Sequence, residues 1–167
     1  MATMEIKGIE EYAEQLEKIS DSKKFIGKII YKGAKVMTDA MDKSIDKIPT
    51  EKSIKKGMPK RGTKENPING LTAAQKSDLH KGLGIAKKQI VAGKTNVKIG
   101  FDGYGSTPTR KYRDGVPNIL LARSVTSGTS FRKKNPAIRN AITRAKKKTL
   151  EAMDQEAEKI LQEKLKK

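Results

Sequence analysis

Residues 125–142 have the sequence VTSGTSFRKKNPAIRNAI, and this stretch decides how the helical parts of the chain are joined. Apolar residues at helical spacing precede Gly128, which suits the left-handed residue that follows a helix end. Asn135 suits a helix cap and Pro136 a first helical position, where the missing N–H of proline costs nothing. The stretch therefore predicts a short, tethered loop between two helices, with Phe131 exposed on it.

Three consecutive cations, Arg132, Lys133 and Lys134, follow Phe131 on this loop. Because charged side chains are rarely buried without a partner, we expect all three to face solvent or an anionic partner. Phe131 itself has two interpretations. It fills a groove, on its own or a neighbouring subunit, as the anchor of a contact, or it folds back over its own last helix as a hydrophobic staple.

The string GTSFRKKNP at residues 128–136 closely resembles the closing motif of the gene product 10 family. It is preceded by NILLAR at 118–123 and followed by IRNAI at 138–142, which extend the likeness. Members of that family are tailed-bacteriophage proteins of the neck and tail-completion region. Upstream, residues 78–85 and 97–104 resemble the segments of the family's first two long strands.

The resemblance implies a non-enzymatic phage or prophage virion protein of the head-tail connector or tail-completion region. Such a protein is made in the host bacterial cytoplasm and assembles as a ring at the neck or tail end. The implied partners are other copies of the chain, the phage connector, the tail-terminator or tail-tube proteins, and DNA passing through the ring. The junction residues are then the predicted assembly contact: Gly128, Phe131, Arg132, Lys133, Lys134 and Pro136.

Length and composition favour a single domain over residues 1–167. Hydrophobic residues make up 35% of the chain and charged residues 34%, which suits a modest core that gains burial on assembly. The absence of cysteine excludes disulfides and thiolate metal sites. Neither an N-terminal apolar run nor a stretch of roughly 20 apolar residues occurs, so we predict no signal peptide and no membrane span.

The net charge of +18 favours polyanionic partners through counterion release. Between residues 132 and 148 eight cations occur without a single acid, so the basic character is concentrated there. The alternative function is therefore a nucleic-acid-binding protein that lays its last helix along phosphates. The other interpretation of the same basic segment is a solvated helix face whose cations bind no nucleic acid. The candidate phosphate contacts are Arg139, Arg144, Lys146, Lys147 and Lys148.

Apolar residues recur at helical spacing in several segments. They predict helices over residues 9–19 and 26–48, a shorter one over 71–80 capped by Thr72, one opening at Pro117, and a last helix from Pro136 nearly to the end. Within the second helix, Gly33 would let another element approach closely. A long second helix, which ends before Pro49, is the expected backbone of the core.

Period-two alternation replaces helical spacing between residues 83 and 101, which predicts two strands with a break near Lys87 and Lys88 and a turn at Gly93 and Lys94. Residues 49–69 follow neither period and are rich in lysine, glycine and proline, so a long, flexible basic loop is expected there. The predicted fold is α+β, with long N- and C-terminal helices packed against a small antiparallel sheet and with long basic loops.

The sequence offers little chemistry. His80 is the only histidine and is interpreted as a surface or structural group. The glycines at residues 82 and 84 begin a dinucleotide fingerprint that Lys87 interrupts. Asp102 and Asp114 stand near several cations, which favours salt bridges over a metal site. We therefore predict that the chain is not an enzyme and uses no cofactor and no metal.

Overall fold

The computed structural model describes residues 22–55 and 57–165. The described part contains four helices and six short strands, which form three two-stranded sheets. This confirms the predicted α+β class. In chain order the elements are α1 (Ser22–Asp46), β1 (Ser53–Lys55), β2 (Met58–Pro59), α2 (Ala73–Gly82), β3 (Leu83–Ile85), β4 (Gln89–Val91), β5 (Lys94–Asn96), β6 (Ile99–Phe101), α3 (Asn118–Ser127) and α4 (Ala137–Leu165).

The described residues form two compact units, and each unit draws on several parts of the chain. The first combines residues up to Thr38, the segment Ile85–Ile99 and the segment from Arg144 onward. The second combines Asp39–Gly84 with Gly100–Thr143. Both long helices, α1 and α4, contribute residues to both units, so neither unit is a contiguous piece of sequence. The assignment of residues 1–167 to one domain stays a prediction.

Helix α1 follows the predicted apolar stripe. Its residues Ile29, Met37, Met41 and Ile45 are at most 5% exposed, and the helix ends at Asp46, before Pro49 as predicted. A Cβ atom built on Gly33 would lie 2.5 Å from the Met153 side chain, which confirms that this glycine permits close approach. The predicted helix over 9–19 and its boundary at 20–21 lie outside the described residues.

The core of the first unit joins the two long helices. Ile29 of α1 packs with Met153, Ala157 and Ile160 of α4, and all four are nearly inaccessible to solvent. Phe25, Ile30 and Leu161 are partly buried against this cluster. The apolar stripes of two amphipathic helices therefore cover each other, and the opposite faces keep their lysines in solvent.

Helix α2 begins at Thr72, the predicted cap, and the structure adds a capping box with Gln75. The Thr72 hydroxyl accepts a hydrogen bond from the Gln75 N–H at 3.2 Å, and the Gln75 side chain accepts one from the Thr72 N–H at 3.3 Å. The same hydroxyl donates to the carbonyl of Gly57 at 2.7 Å. Thr72 therefore stabilises the helix start and attaches it to the preceding segment.

Replacing Thr72 by alanine is expected to cost about 1 to 2 kcal/mol of unfolding free energy, because a fully buried cap and its bond to Gly57 are lost together. Urea denaturation measures the loss. Thr72→Ser keeps the hydroxyl and is the matched control, expected to stay closer to the wild type. Equal losses for the two variants would show that the methyl group, and not the cap, matters.

The sheets are shorter than the sequence suggested. Strands β3 and β6 have three residues each, where the family resemblance implied long strands. The break near Lys87 is confirmed, since residues 86–88 separate β3 from β4. The hairpin of β4 and β5 turns at Ala92 and Gly93, one residue earlier than predicted, because both residues adopt the positive φ that tight two-residue hairpins require.

The basic segment 49–69 is more structured than its composition indicated. Strands β1 and β2 pair within it, which the absence of either period had not predicted. Thr50 bridges to Leu71, and Ile68 bridges to Arg132. Backbone hydrogen bonds to distant residues thus supply the order that no apolar stripe could. The flexibility of residues 49–70 in the free chain stays a prediction.

Candidate functional site

The junction between α3 and α4, residues 128–136, has the predicted construction. Gly128 ends α3 with φ 75°, a conformation that favours glycine. The Asn135 side chain accepts a hydrogen bond from the Ala137 N–H at 3.0 Å, and the Pro136 carbonyl accepts one from the Asn140 N–H at 2.8 Å. The cap and proline start of the last helix are therefore confirmed. All of these residues belong to the second unit.

A tight turn at the tip of the junction holds Phe131. The Thr129 and Arg132 backbones exchange hydrogen bonds of 2.9 and 3.3 Å across this turn. The Phe131 carbonyl accepts from the Ile68 N–H at 2.9 Å, and the Lys133 N–H donates to the Ile68 carbonyl at 2.8 Å. The backbone directly after Phe131, on both sides of Arg132, is thereby fixed to another segment, so the aromatic ring is presented from a defined position.

The prediction that all three junction cations face solvent is wrong for Arg132. This residue is only 4% exposed, and its guanidinium donates a hydrogen bond to the carbonyl of Gly70. Burial lowers the pKa of Arg132, and the nearby charge of Glu51 opposes that shift. Arg132 thus fastens the junction to its own chain, which removes it from the predicted polar rim of an assembly contact.

Phe131 is 46% exposed, so nearly half of its side chain meets solvent. Lys133 and Lys134 are exposed beside it, as predicted. They line an open concavity of about 550 Å³ that also includes the hydroxyl-bearing turn at Thr129 and Ser130. Lys64, from the basic segment 49–69, lines it too and was not anticipated from the sequence. An exposed aromatic residue beside a positively charged concavity is suited to binding another molecule.

The candidate phosphate contacts of the last helix are on the solvent side. Arg139, Arg144, Lys146, Lys147 and Lys148 are all exposed. One of them is partly compensated, since Lys147 lies 3.9 Å from Glu151. Exposure is required for phosphate binding but also fits a plain solvated face, and it does not choose between them.

A second basic surface was missed by the sequence reasoning. Lysines of α1 and of residues 87–88 line one open groove in the first unit. The repeat of lysine at every fourth position, from Lys24 to Lys32, was visible in the sequence as a charged stripe. The contribution of residues 87–88 was not, because it depends on a tertiary contact.

His80 is the structural group that the sequence favoured. Its Nδ1 lies 2.6 Å from an Asp42 carboxylate oxygen and its Nε2 lies 3.1 Å from one of Asp46. Burial lowers the pKa of His80, but the hydrogen bond and charge of Asp42, and then those of Asp46, outweigh it, so the pKa is raised above 6.5. A carboxylate at each ring nitrogen favours the protonated form, in which both nitrogens donate, and His80 in this form clamps α2 to α1.

This clamp predicts a pH dependence of stability. Because the folded-state pKa is raised, the stabilisation is fully present below the unfolded value of 6.5 and is lost as the pH rises through the folded value. Melting temperatures measured from pH 6.5 upward through the folded-state pKa are expected to show this loss of stability. His80→Gln cannot titrate, so this variant is expected to lack that pH dependence. A histidine contribution that grew with rising pH would contradict the clamp.

Within the described residues, no group of three or more histidine or acidic side chains is placed to hold a metal ion. Asp102 accepts a hydrogen bond from the adjacent Gly103 N–H at 2.8 Å.

Among the described residues, none of the four helices has both the length and the apolar character needed to cross a bilayer. Comparisons with protein-family models, with curated proteins and with solved structures found no match for the chain.

Proposed function

We propose that this chain is a non-enzymatic structural protein of a phage or prophage virion, in the head-tail connector or tail-completion region. Copies of it assemble there as a ring and contact the phage connector and the tail-terminator or tail-tube proteins. The proposal rests on the likeness of residues 128–136 to the gene product 10 family and on the geometry of that junction. The α+β architecture with two long helices agrees with it.

The observation that carries the proposal is the placement of Phe131. Its carbonyl and the Lys133 N–H are both hydrogen-bonded to Ile68, which fixes the backbone here, while the residue remains 46% exposed. Fixing a large apolar side chain in an exposed position gains little within one chain, because apolar area contributes to stability only when it leaves water. Association of copies or of phage partners would bury it. Interface energy is commonly concentrated in such aromatic residues.

Negative-stain imaging of the purified protein, with its mass measured in solution and without nucleic acid, tests the proposal. We expect closed rings, since a neck component must surround the path of the genome. A chain that stays monomeric across the accessible concentrations, and that is absent from particles of the phage that encodes it, would contradict the proposal.

The second candidate is binding of nucleic acid through the last helix. All five predicted contacts, among them Lys146, Lys147 and Lys148, are exposed, as phosphate binding requires. Replacing these three lysines would lower the salt dependence of DNA binding if they contact phosphates. Formation of rings without nucleic acid distinguishes the first candidate from this one.

A further inference from the structure

A groove of about 1060 Å³ in the first unit is lined by more lysines than the concavity at the junction. Its lysines are all exposed and come from two parts of the chain: Lys24, Lys28, Lys32, Lys35, Lys87 and Lys88. Glu156 of α4 is the one acid among the lining residues. Six lysines against one glutamate leave a formal charge of +5.

The helical lysines form a continuous line. Lys24, Lys28, Lys32 and Lys35 lie within an arc of about 80° on α1, at roughly 100° per residue, and extend over about 17 Å of helix. Steps of four residues advance about 6 Å. Each strand of a duplex carries one phosphate per roughly 3.4 Å of its axis, so the line of lysines is long enough to meet several phosphates in succession.

The stability of helix α1 alone does not explain why these lysines are aligned. Like charges four residues apart destabilise a helix, and Lys24, Lys28 and Lys32 provide two such pairs in succession. Among residues 22–55 and 57–165, the ion pairs involve none of the four helical lysines of the groove. The charge is therefore presented outward instead of being neutralised by the fold.

Tyr31 completes the groove by attaching the second basic segment to α1. Its hydroxyl accepts a hydrogen bond from the Lys88 N–H at 2.9 Å and donates to the Ala86 carbonyl at 3.4 Å. The Lys88 side chain crosses Gly27, where a Cβ atom would lie 3.3 Å from its Nζ. Tyr31 is 36% exposed and lines the groove among the lysines, so part of an aromatic residue is accessible beside the charge.

We propose that this lysine groove binds the phosphate backbone of a nucleic-acid strand without sequence preference. The occupant is a linear polyanion because the charges form a line along one helix, whereas a single small anion would engage only two or three of them. A membrane surface fits less well, since the apolar residues Phe25, Ile29 and Ile30 of α1 pack against the α4 cluster and do not line the groove. The proposal does not depend on ring assembly, because the groove and the junction belong to different units.

Three triple variants, each losing three positive charges, test the location of binding. The groove variant replaces Lys28, Lys32 and Lys35 by glutamine; a second replaces Lys146, Lys147 and Lys148; and a control replaces the exposed Lys47, Lys52 and Lys60. Their affinities for a labelled mixed-sequence oligodeoxynucleotide, single-stranded and duplex, are measured over a range of salt. Melting curves verify that all three remain folded.

The groove variant is expected to lose about tenfold or more in affinity at low salt. Its salt slope should fall by about two for the single strand and about three for the duplex, in proportion to the phosphate contacts removed. The control should change far less. Equal losses in all three variants would show that only net charge matters and would overturn the proposal, as would losses confined to the last-helix variant. If the groove variant binds the oligodeoxynucleotides like the wild type but no longer binds anionic phospholipid vesicles, the surface is assigned to a membrane instead.

A substitution of Glu156 tests the proposal in the opposite direction, because it should strengthen nucleic-acid binding. Glu156→Gln removes the carboxylate that lines the groove, so binding should tighten by roughly two- to fivefold at low salt, as expected for one partly screened charge. Glu158→Gln changes the net charge equally at an exposed position on the same helix that does not line the groove. Identical gains for the two variants would contradict a localised site.

Discussion

Replacing Phe131 by alanine is expected to weaken self-association of the chain by about 2 kcal/mol or more while the melting temperature of the unassembled chain changes little. The reason is that the backbone at Phe131 is fixed by hydrogen bonds whereas the residue is exposed. The hydrogen bonds of the Phe131 carbonyl and the Lys133 N–H to Ile68 hold the backbone and are left intact by the substitution, and the residue is already 46% exposed. Most of the apolar burial that Phe131 can still gain therefore comes from another molecule.

Tyr104 provides a matched control for this experiment. It is an aromatic residue of the same unit and is 66% exposed, so Tyr104→Ala removes a comparable ring from a different part of the surface. Sedimentation velocity and negative-stain imaging compare the two variants with the wild type. Only the Phe131 variant should lose rings. If Phe131 is instead a staple over the last helix, its alanine variant will melt early and assemble normally, and that result would contradict the proposed contact.

The sequence predicted most of the helical framework because its signals are local. Thr72 caps α2 as predicted, and Gln75, three residues later, completes a capping box that the structure adds. Gly128 and Pro136 likewise set the end of α3 and the start of α4 through their own backbone preferences. The bounds of these elements follow from residues that contact one another within a helical turn.

What the sequence did not predict depends on contacts between distant residues. Arg132 is buried because its guanidinium reaches Gly70, 62 residues away, and a run of three cations gives no sign of which one turns inward. The lysine groove depends on Tyr31, whose hydroxyl meets the Lys88 backbone 57 residues along the chain. The pairing of β1 with β2 was missed for a different reason, since these strands are neighbours in sequence but their segment has no alternation of apolar residues.

The second large effect is expected at Arg132. Arg132→Ala should lower the free energy of unfolding by about 2 to 3 kcal/mol, because a charged hydrogen bond to a carbonyl is lost and a buried site is left unfilled. Gly70, which accepts this bond, is itself buried, so its carbonyl has little access to replacement water. Glu51 would also lose the positive charge near it. Denaturant unfolding of the variant measures the loss.

Two comparison variants separate the parts of this effect. Arg132→Met keeps the apolar stem but not the donor, so it should lose most of the same stability if the bond to Gly70 is the main contribution. Buried charges are sometimes replaced by apolar residues without loss, and a fully stable methionine variant would show that the bond adds nothing net. Lys133→Ala is the neighbouring control, and because that residue is exposed it should change stability by less than about 0.5 kcal/mol.

Assembly of the Arg132 variants tests whether the anchored turn presents Phe131. The Arg132 backbone closes the turn with Thr129 and its side chain ties that turn to Gly70, so losing the tie should let the turn move and raise the ordering cost of association. Phe131→Ala is expected to reduce association alone, whereas Arg132→Met is expected to reduce both stability and association. A methionine variant that is less stable but associates with wild-type affinity would show that the position of Phe131 is set by its hydrogen bonds to Ile68 and not by the buried arginine.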